Sequence, residues 1–286
     1  MSIDNSKFVP NVTFEQIPIK NLVSNQNYQR RLSESQILKA AEDFDLFQIN
    51  PVKVSRRDGI NYVFNGQHTI EIVALVSGSR DTPVWCMIYD SLIYEHEAQI
   101  FAEQQKHVRP LAPYETFVAQ LEAGSDKHLM IWDLVQSYQL EISSKSCNGS
   151  ICAVNALEQI YDKYGYHVLD RTLHLCVGTW EGEKYSLSAN MLRGVAKLIV
   201  TFGDELNDDA FKDRLSQLSL KLLTRTAKDR HMGSIGYAEA LVLSYNRKCK
   251  LKTKKLNIKK LYGDYSGDDG DLDDDENADG YASPFA

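Results

Sequence analysis

No apolar run reaches the roughly 18 residues that a membrane-spanning helix requires, so no span is expected. The first twenty residues place Asp4, Lys7, Glu15 and Lys20 among short apolar pieces and lack the apolar block of a secretory leader. The five cysteines, at 86, 147, 152, 176 and 249, form no Cys-x-x-Cys pair, which argues against a zinc site or a disulfide framework. Internal repeats are missing, and so is any tight cluster of carboxylates outside the C-terminal end. These absences leave a soluble, cytoplasmic chain with reduced thiols. Its 286 residues, 43% apolar and 25% charged, suffice for one large domain or two ordinary ones with a real core.

Charge of one sign is missing from two adjoining stretches. Residues 247–260 hold eight Lys or Arg and no acid. After Lys260 come nine acids and no base: Asp264, Asp268, Asp269, Asp271, Asp273, Asp274, Asp275, Glu276 and Asp279. Those nine outweigh the net charge of −7, so the remainder of the chain is mildly basic. Like charges at that density repel and find few apolar partners, which predicts a disordered acidic tail over 263–286. The basic run either continues a helix or lies against nucleic acid phosphates.

Strands and helices alternate through the first third. Phe14–Ile19 reads as a strand. Ser33 and Gln36 form a capping box, and Ile37, Ala40, Ala41 and Phe44 then make an apolar stripe at helical spacing. Val52 and Val54 alternate with Lys53 and Ser55, and Asp58-Gly59 turns the chain into a return strand at Ile60–Phe64. A helix runs from Gly66 through Val76 to Gly78, and Val84–Tyr89 is a further strand. Helices are expected at 94–107, from Pro113, and at 153–164, 187–203, 208–228 and 234–249. The last-but-one carries the core stripe Phe211, Leu215, Leu218 and Leu222. Asn148-Gly149 suggests a hairpin within 141–154.

A strand that stops at Asn65-Gly66 and passes straight into a helix turns backbone amides and the positive end of the helix dipole toward one spot. Gln67, His68 and Thr69 stand in that first turn with groups able to donate to an oxyanion. The same glycine serves turn geometry alone in many strand-to-helix connections. His68 is either a donor or general acid there, or a capping residue. Arg30 and Arg31 are either a phosphate clamp or a surface pair. Glu95, His96, Glu97, Glu103 and His107 share one helical stretch; the reading is a solvated face, since a metal would need further ligands.

The succession IPIKNL (17–22), NYQRRLS (27–33), INPVKVSRRDG (49–59) and YVFNGQHT (62–69), followed by AEQQKHVRPLAPYETFVAQL (102–121), resembles the ParB/sulfiredoxin-like domain of proteins found in phage and mobile elements. The resemblance implies an α+β fold: a ParB/sulfiredoxin-like domain over 1–122, a mostly α-helical domain over 123–262, and the tail. It implies CTP or another nucleoside triphosphate with Mg2+ near the glycine turn, and association with DNA. Carried over, Gly66 keeps the motif glycine's backbone role, while Gln67, His68 and Thr69 stand where ParB has Glu, Arg and Arg. Three neutral side chains thus replace a strongly charged set. Arg30 aligns with the arginine after the first strand, Glu103 with the acid near the magnesium, and Gln104 with an asparagine; Lys106 or Arg109 stands in for a nearby arginine. Sulfiredoxin chemistry needs a cysteine directly after the glycine, where this chain has Gln67. A ParB-type helix-turn-helix would start at Ile131–Tyr138, but residues 146–150 read as a hairpin or wing, not a recognition helix.

The first functional reading is therefore a DNA-associated, nucleotide- or phosphate-binding protein of plasmid or phage maintenance or regulation. Its DNA contacts would be Lys248, Lys250, Lys252, Lys254, Lys255, Lys259 and Lys260. A second is a metal-dependent nuclease in which Arg30, His68 and Glu103 act as charge stabiliser, general acid and metal ligand. A third is a catalytically inert interaction module. The expected partners are DNA bound without sequence preference, a protein partner for the acidic tail and a second copy of the chain, with no membrane.

Overall fold

The computed structural model describes residues 11–24, 27–29, 31–90, 92–106, 110–249, 251 and 254–263. Arg30, Lys250, Lys252, His107, Arg109 and the acidic tail lie outside the described residues. The chain divides into two units, residues 1–110 and 111–286. The fold class is α+β, with a mixed sheet in the first unit and mostly helices in the second.

Five strands make the sheet of the first unit: β1 (Thr13–Pro18), β2 (Leu22–Ser24), β3 (Val52–Arg57), β4 (Ile60–Asn65) and β5 (Pro83–Asp90). Their order is β1-β5-β3-β4-β2. β1 and β5 are antiparallel, as are β3 and β4; β3–β5 and β2–β4 are parallel. The β3–β4 hairpin turns where the sequence expects, with φ of 53° at Asp58 and 76° at Gly59. Helix α1 (Glu34–Glu42) packs beside α2 (Gln67–Ser77), and α3 (Tyr94–Lys106) follows β5. One sheet face is apolar: Val52, Val54, Val63, Val84, Cys86 and Ile88 meet Ile70 and Val73 of α2. Each such side chain contributes about 1.5–3 kcal/mol by leaving water.

The alternate positions carry Ser55, Arg57, Tyr62 and Phe64, and here α3 makes its contact through Glu97, which is fully buried. That corrects the solvated-face reading at Glu97 alone; Glu95, His96 and Glu103 are exposed as expected. A carboxylate at 0% exposure needs a cation, and Arg57 Nε stands 2.9 Å from it. The approach is a charge contact without hydrogen-bond alignment, and Arg57 also lies 4.4 Å from the centre of the Tyr62 ring.

The second unit contains α4 (Pro113–Glu122), α5 (Asp126–Ser137), β6 (Glu141–Ile142), β7 (Ser150–Ile151), α6 (Val154–Tyr164), α7 (Tyr166–Trp180), α8 (Ala189–Phe202), α9 (Asp208–Leu215), α10 (Leu220–Arg230) and α11 (Gly233–Arg247). α4 starts with Pro113 at a position needing no amide, and the Glu115 carboxylate accepts from the Ala112 N–H at 2.7 Å. Its Phe117 is buried in the helical core, with this helix in the second unit. α8 is central, packing on α6, α7 and α11. Gly194 allows the α8–α11 approach, since a Cβ there would stand 2.9 Å from Tyr237 Cβ.

Two sequence expectations give way in this unit. Residues 141–151 do not form a hairpin: β6 and β7 pair in parallel, Glu141 with Ser150 and Ile142 with Ile151. The helix expected at 208–228 breaks at 216–219, where Ser219 starts α10. Phe211 and Leu215 stay buried, but the break rotates the stripe, leaving Leu222 exposed and Leu220 and Leu223 inside.

Candidate functional site

Gly66 sits at φ 105°, ψ 17°, and a Cβ on it would lie 3.2 Å from Val52 Cα, tighter than most Cβ contacts. The turn therefore requires glycine twice over, for its left-handed backbone and for its closeness to β3. Having no side chain, Gly66 supplies no cap to the first amides of α2. This much fits a seat for an oxyanion.

The surrounding side chains are mostly committed to the fold. Gln67 is buried. His68 Nε2 accepts from the Ser33 N–H at 3.3 Å, so the imidazole completes the start of α1. The Ser33 hydroxyl accepts from the Gln36 N–H at 3.4 Å, but it is His68 that takes the Ser33 amide assigned to Gln36 in the expected capping box. An Nε2 that accepts carries no proton, so the proton of the neutral ring is on Nδ1 in this arrangement. Thr69 is half-buried in the same turn.

Asn65 Nδ2 donates to Gln104 Oε1 at 3.3 Å, which ties Gln104 of α3 to the turn. Glu103 is exposed on α3. Among the described residues no three His, Cys, Asp or Glu side chains converge to hold a metal ion.

The segment 27–29 is fastened beside this turn. Gln29 Nε2 donates to the Val63 carbonyl at 2.5 Å, and the Tyr28 hydroxyl donates to Glu97 Oε2 at 3.3 Å. Tyr28 also packs edge-on to Tyr94 and against Phe101. Burial, with Glu97 adding to it, pushes the Tyr28 phenol up to about 12. Sequence reasoning missed this cluster, because the Glu97 partners lie 40 and 69 residues away.

The basic run has a different character. α11 ends at Arg247, and the chain does not continue as helix. Asn246 pins the returning strand of chain reciprocally: its Nδ2 donates to the Leu256 carbonyl and its Oδ1 accepts from the Leu256 N–H, both at 2.8 Å. Leu256 and Leu261 are buried, while Lys248, Lys254, Lys255, Lys259 and Lys260 are exposed. Lys260 pairs with Glu205 at 2.5 Å; the other four described lysines make no ion pair among the described residues. Farther along, Tyr262 donates to Glu239, which Arg230 Nε also contacts at 2.9 Å. Burial pushes the Glu239 carboxyl up, but these donors outweigh it and hold the group below the ordinary carboxylate range.

No helix among the described residues is long and apolar enough to cross a membrane. Two solved structures of the C-terminally truncated chromosome-partitioning protein ParB from Caulobacter crescentus are similar to this chain. The one complexed with CTP-γ-S is 13% identical with a TM-score of 0.34, covering 81% of this chain and 97% of that one. The one complexed to the centromeric parS site is 12% identical with a TM-score of 0.23, covering 82% of this chain and 100% of that one. A search of curated proteins finds no match. A family model described as "Family of unknown function (DUF6551)" matches residues 23–260, from β2 to the turn that follows Leu256 and across both units. With most of its length inside that match, the chain belongs to the DUF6551 family.

Proposed function

We propose that this protein associates with DNA, holding the phosphate backbone on the lysine surface of residues 248–260 and a phosphate-bearing small ligand at the β4–Gly66–α2 turn. The observation that carries the reading is the set of exposed cations Lys248, Lys254, Lys255 and Lys259, without an ion pair among the described residues, on a segment anchored by Asn246, Leu256 and Leu261. Crowded like charges repel one another, and a polyanion relieves that repulsion while releasing its own counterions. At the turn, the ligand phosphate would meet the α2 amides and Thr69, with nucleotides such as CTP as the chemical class. Neutral donors give that seat little charge, so its affinity is modest.

A salt titration of a duplex shift assay tests the DNA half. Binding should weaken by about 10-fold or more between 50 and 200 mM salt. Replacing the lysines of 248–260 by Gln should abolish it, and unchanged binding by that variant would overturn the reading. For the turn, thermal shifts with CTP, ATP and GTP, with and without Mg2+, should show a rise with at least one nucleotide; no shift with any of them would remove the small-ligand half.

A further inference from the structure

Beside the lysine surface lies a cleft of about 500 Å3, lined by Glu205, Asn207, Arg214, Tyr245, Lys254 and Lys255 among others. Arg214 projects from α9 and stacks its guanidinium 4.2 Å from the centre of the buried Tyr245 ring. Its Nη1 is sealed from solvent and has no hydrogen-bond partner among the described residues, nor does Arg214 make an ion pair there. A buried guanidinium N–H without an acceptor is costly, by about 1–3 kcal/mol.

Arg171, on α7, shows how this fold treats an arginine whose role is structural. Its Nη1 donates to the Gly203 carbonyl at 3.1 Å, its Nη2 to the Leu206 carbonyl at 2.6 Å, and its Nη2 and Nε to Asp208 at 2.7 and 3.1 Å. Arg214 sits one element away with none of this. Lys254 and Lys255, in the same lining, also make no ion pair among the described residues, and the one acid in the lining, Glu205, is taken by Lys260. Asn207 Oδ1 is spent on the Ala210 N–H at 2.8 Å. The cleft is thus a concave place whose lining holds three cations and one acid already paired with Lys260, with room for a phosphate and its ester groups.

We propose that this cleft is an oxyanion site in which Arg214 seats a phosphate group between α9 and the Lys254–Lys255 wall. The inference deepens the DNA reading above, and rests on it for the source of the phosphate: a duplex backbone entering from the lysine surface. The planar guanidinium, held by the Tyr245 ring, presents its remaining N–H groups in the fork geometry that phosphate oxygens match.

The test uses the full-length protein. Anisotropy of a labelled duplex compares the wild type with Arg214→Gln, Arg214→Lys, and the double variant Lys254→Gln with Lys255→Gln. Arg214→Gln should lose about 10-fold in affinity, the loss of one charge-assisted contact. Arg214→Lys should recover part of that. The exposed double variant, whose fold is not at risk, should lose about fivefold and show a shallower salt slope. A parallel arm measures the melting temperature in 10 mM inorganic phosphate against equal ionic strength of chloride.

Losses at both Arg214 and the double variant establish the site with a backbone phosphate as its ligand. Wild-type affinity in Arg214→Gln and in the double variant, together with loss when Lys248 and Lys259 become Gln, overturns the cleft and leaves the DNA reading standing. If the wild type binds no duplex, the DNA reading falls; a phosphate-induced stabilisation lost in Arg214→Gln then supports the cleft with a free phosphate ligand. No stabilisation in that case overturns both.

Discussion

The turn at Gly66 and the surface around Arg214 distribute polar groups in opposite ways. At Gly66 the side chains with chemical potential are already engaged: His68 accepts from Ser33, Asn65 donates to Gln104, and Tyr28 and Arg57 converge on buried Glu97. Around Arg214 three cations of one cleft make no ion pair among the described residues, although the same unit pairs Arg171, Arg230 and Lys260. A fold that satisfies most of its charges internally gains little by leaving a patch of them unmatched. Unmatched cations in a cleft are therefore the stronger pointer to an external anion.

The comparison can be broken from the first unit. Gly66→Ala should have the largest effect, lowering stability by about 3 kcal/mol in urea unfolding, because the new Cβ meets Val52 and the backbone is left-handed. A neutral outcome would mean the turn relaxes and is not held against β3. Next, Glu97→Gln should cost about 2 kcal/mol by stranding Arg57 at a buried site, again read by urea unfolding.

His68→Ala should cost about 1 kcal/mol and speed amide exchange at Ser33 while leaving duplex affinity at the wild-type level. Loss of duplex binding in that variant would transfer the polyanion to the first unit and reverse the contrast. The smallest effect is acid-linked. Because the folded state holds the Glu239 carboxyl low, its contribution is present above the ordinary carboxylate range and is lost as pH falls through it. Melting temperature should fall more steeply between about pH 5 and pH 3 in the wild type than in Glu239→Gln.

What could be read from the sequence was local. The Asp58-Gly59 turn, the helix between Gly66 and Gly78, and Pro113 at a helix start are signals contained within a few residues, and the structure has each. The short β2 strand, Leu22–Ser24, escaped notice because three residues carry no periodicity, and its parallel partner β4 is far along the chain. The 141–151 segment was misread as a hairpin because Asn148-Gly149 is a turn signal that does not encode strand direction.

Candidate-site residues divide the same way. Gly66 was legible from its position, but the engagement of His68 by Ser33 depends on how α1 docks beside α2, which no local pattern specifies. The lysine surface was legible as composition. Arg214 was not: on a continuous 208–228 helix it falls at the flank of the apolar stripe, where a cation is ordinary, and only the return of Lys254–Lys255 makes it part of a cleft lining.

Hydrogen exchange of the full-length protein with and without a duplex locates the polyanion without any substitution. Amides of 205–214 and 254–262 should slow on DNA addition while those of 66–70 keep their rates. Protection at 66–70 with none along the cleft would contradict the account.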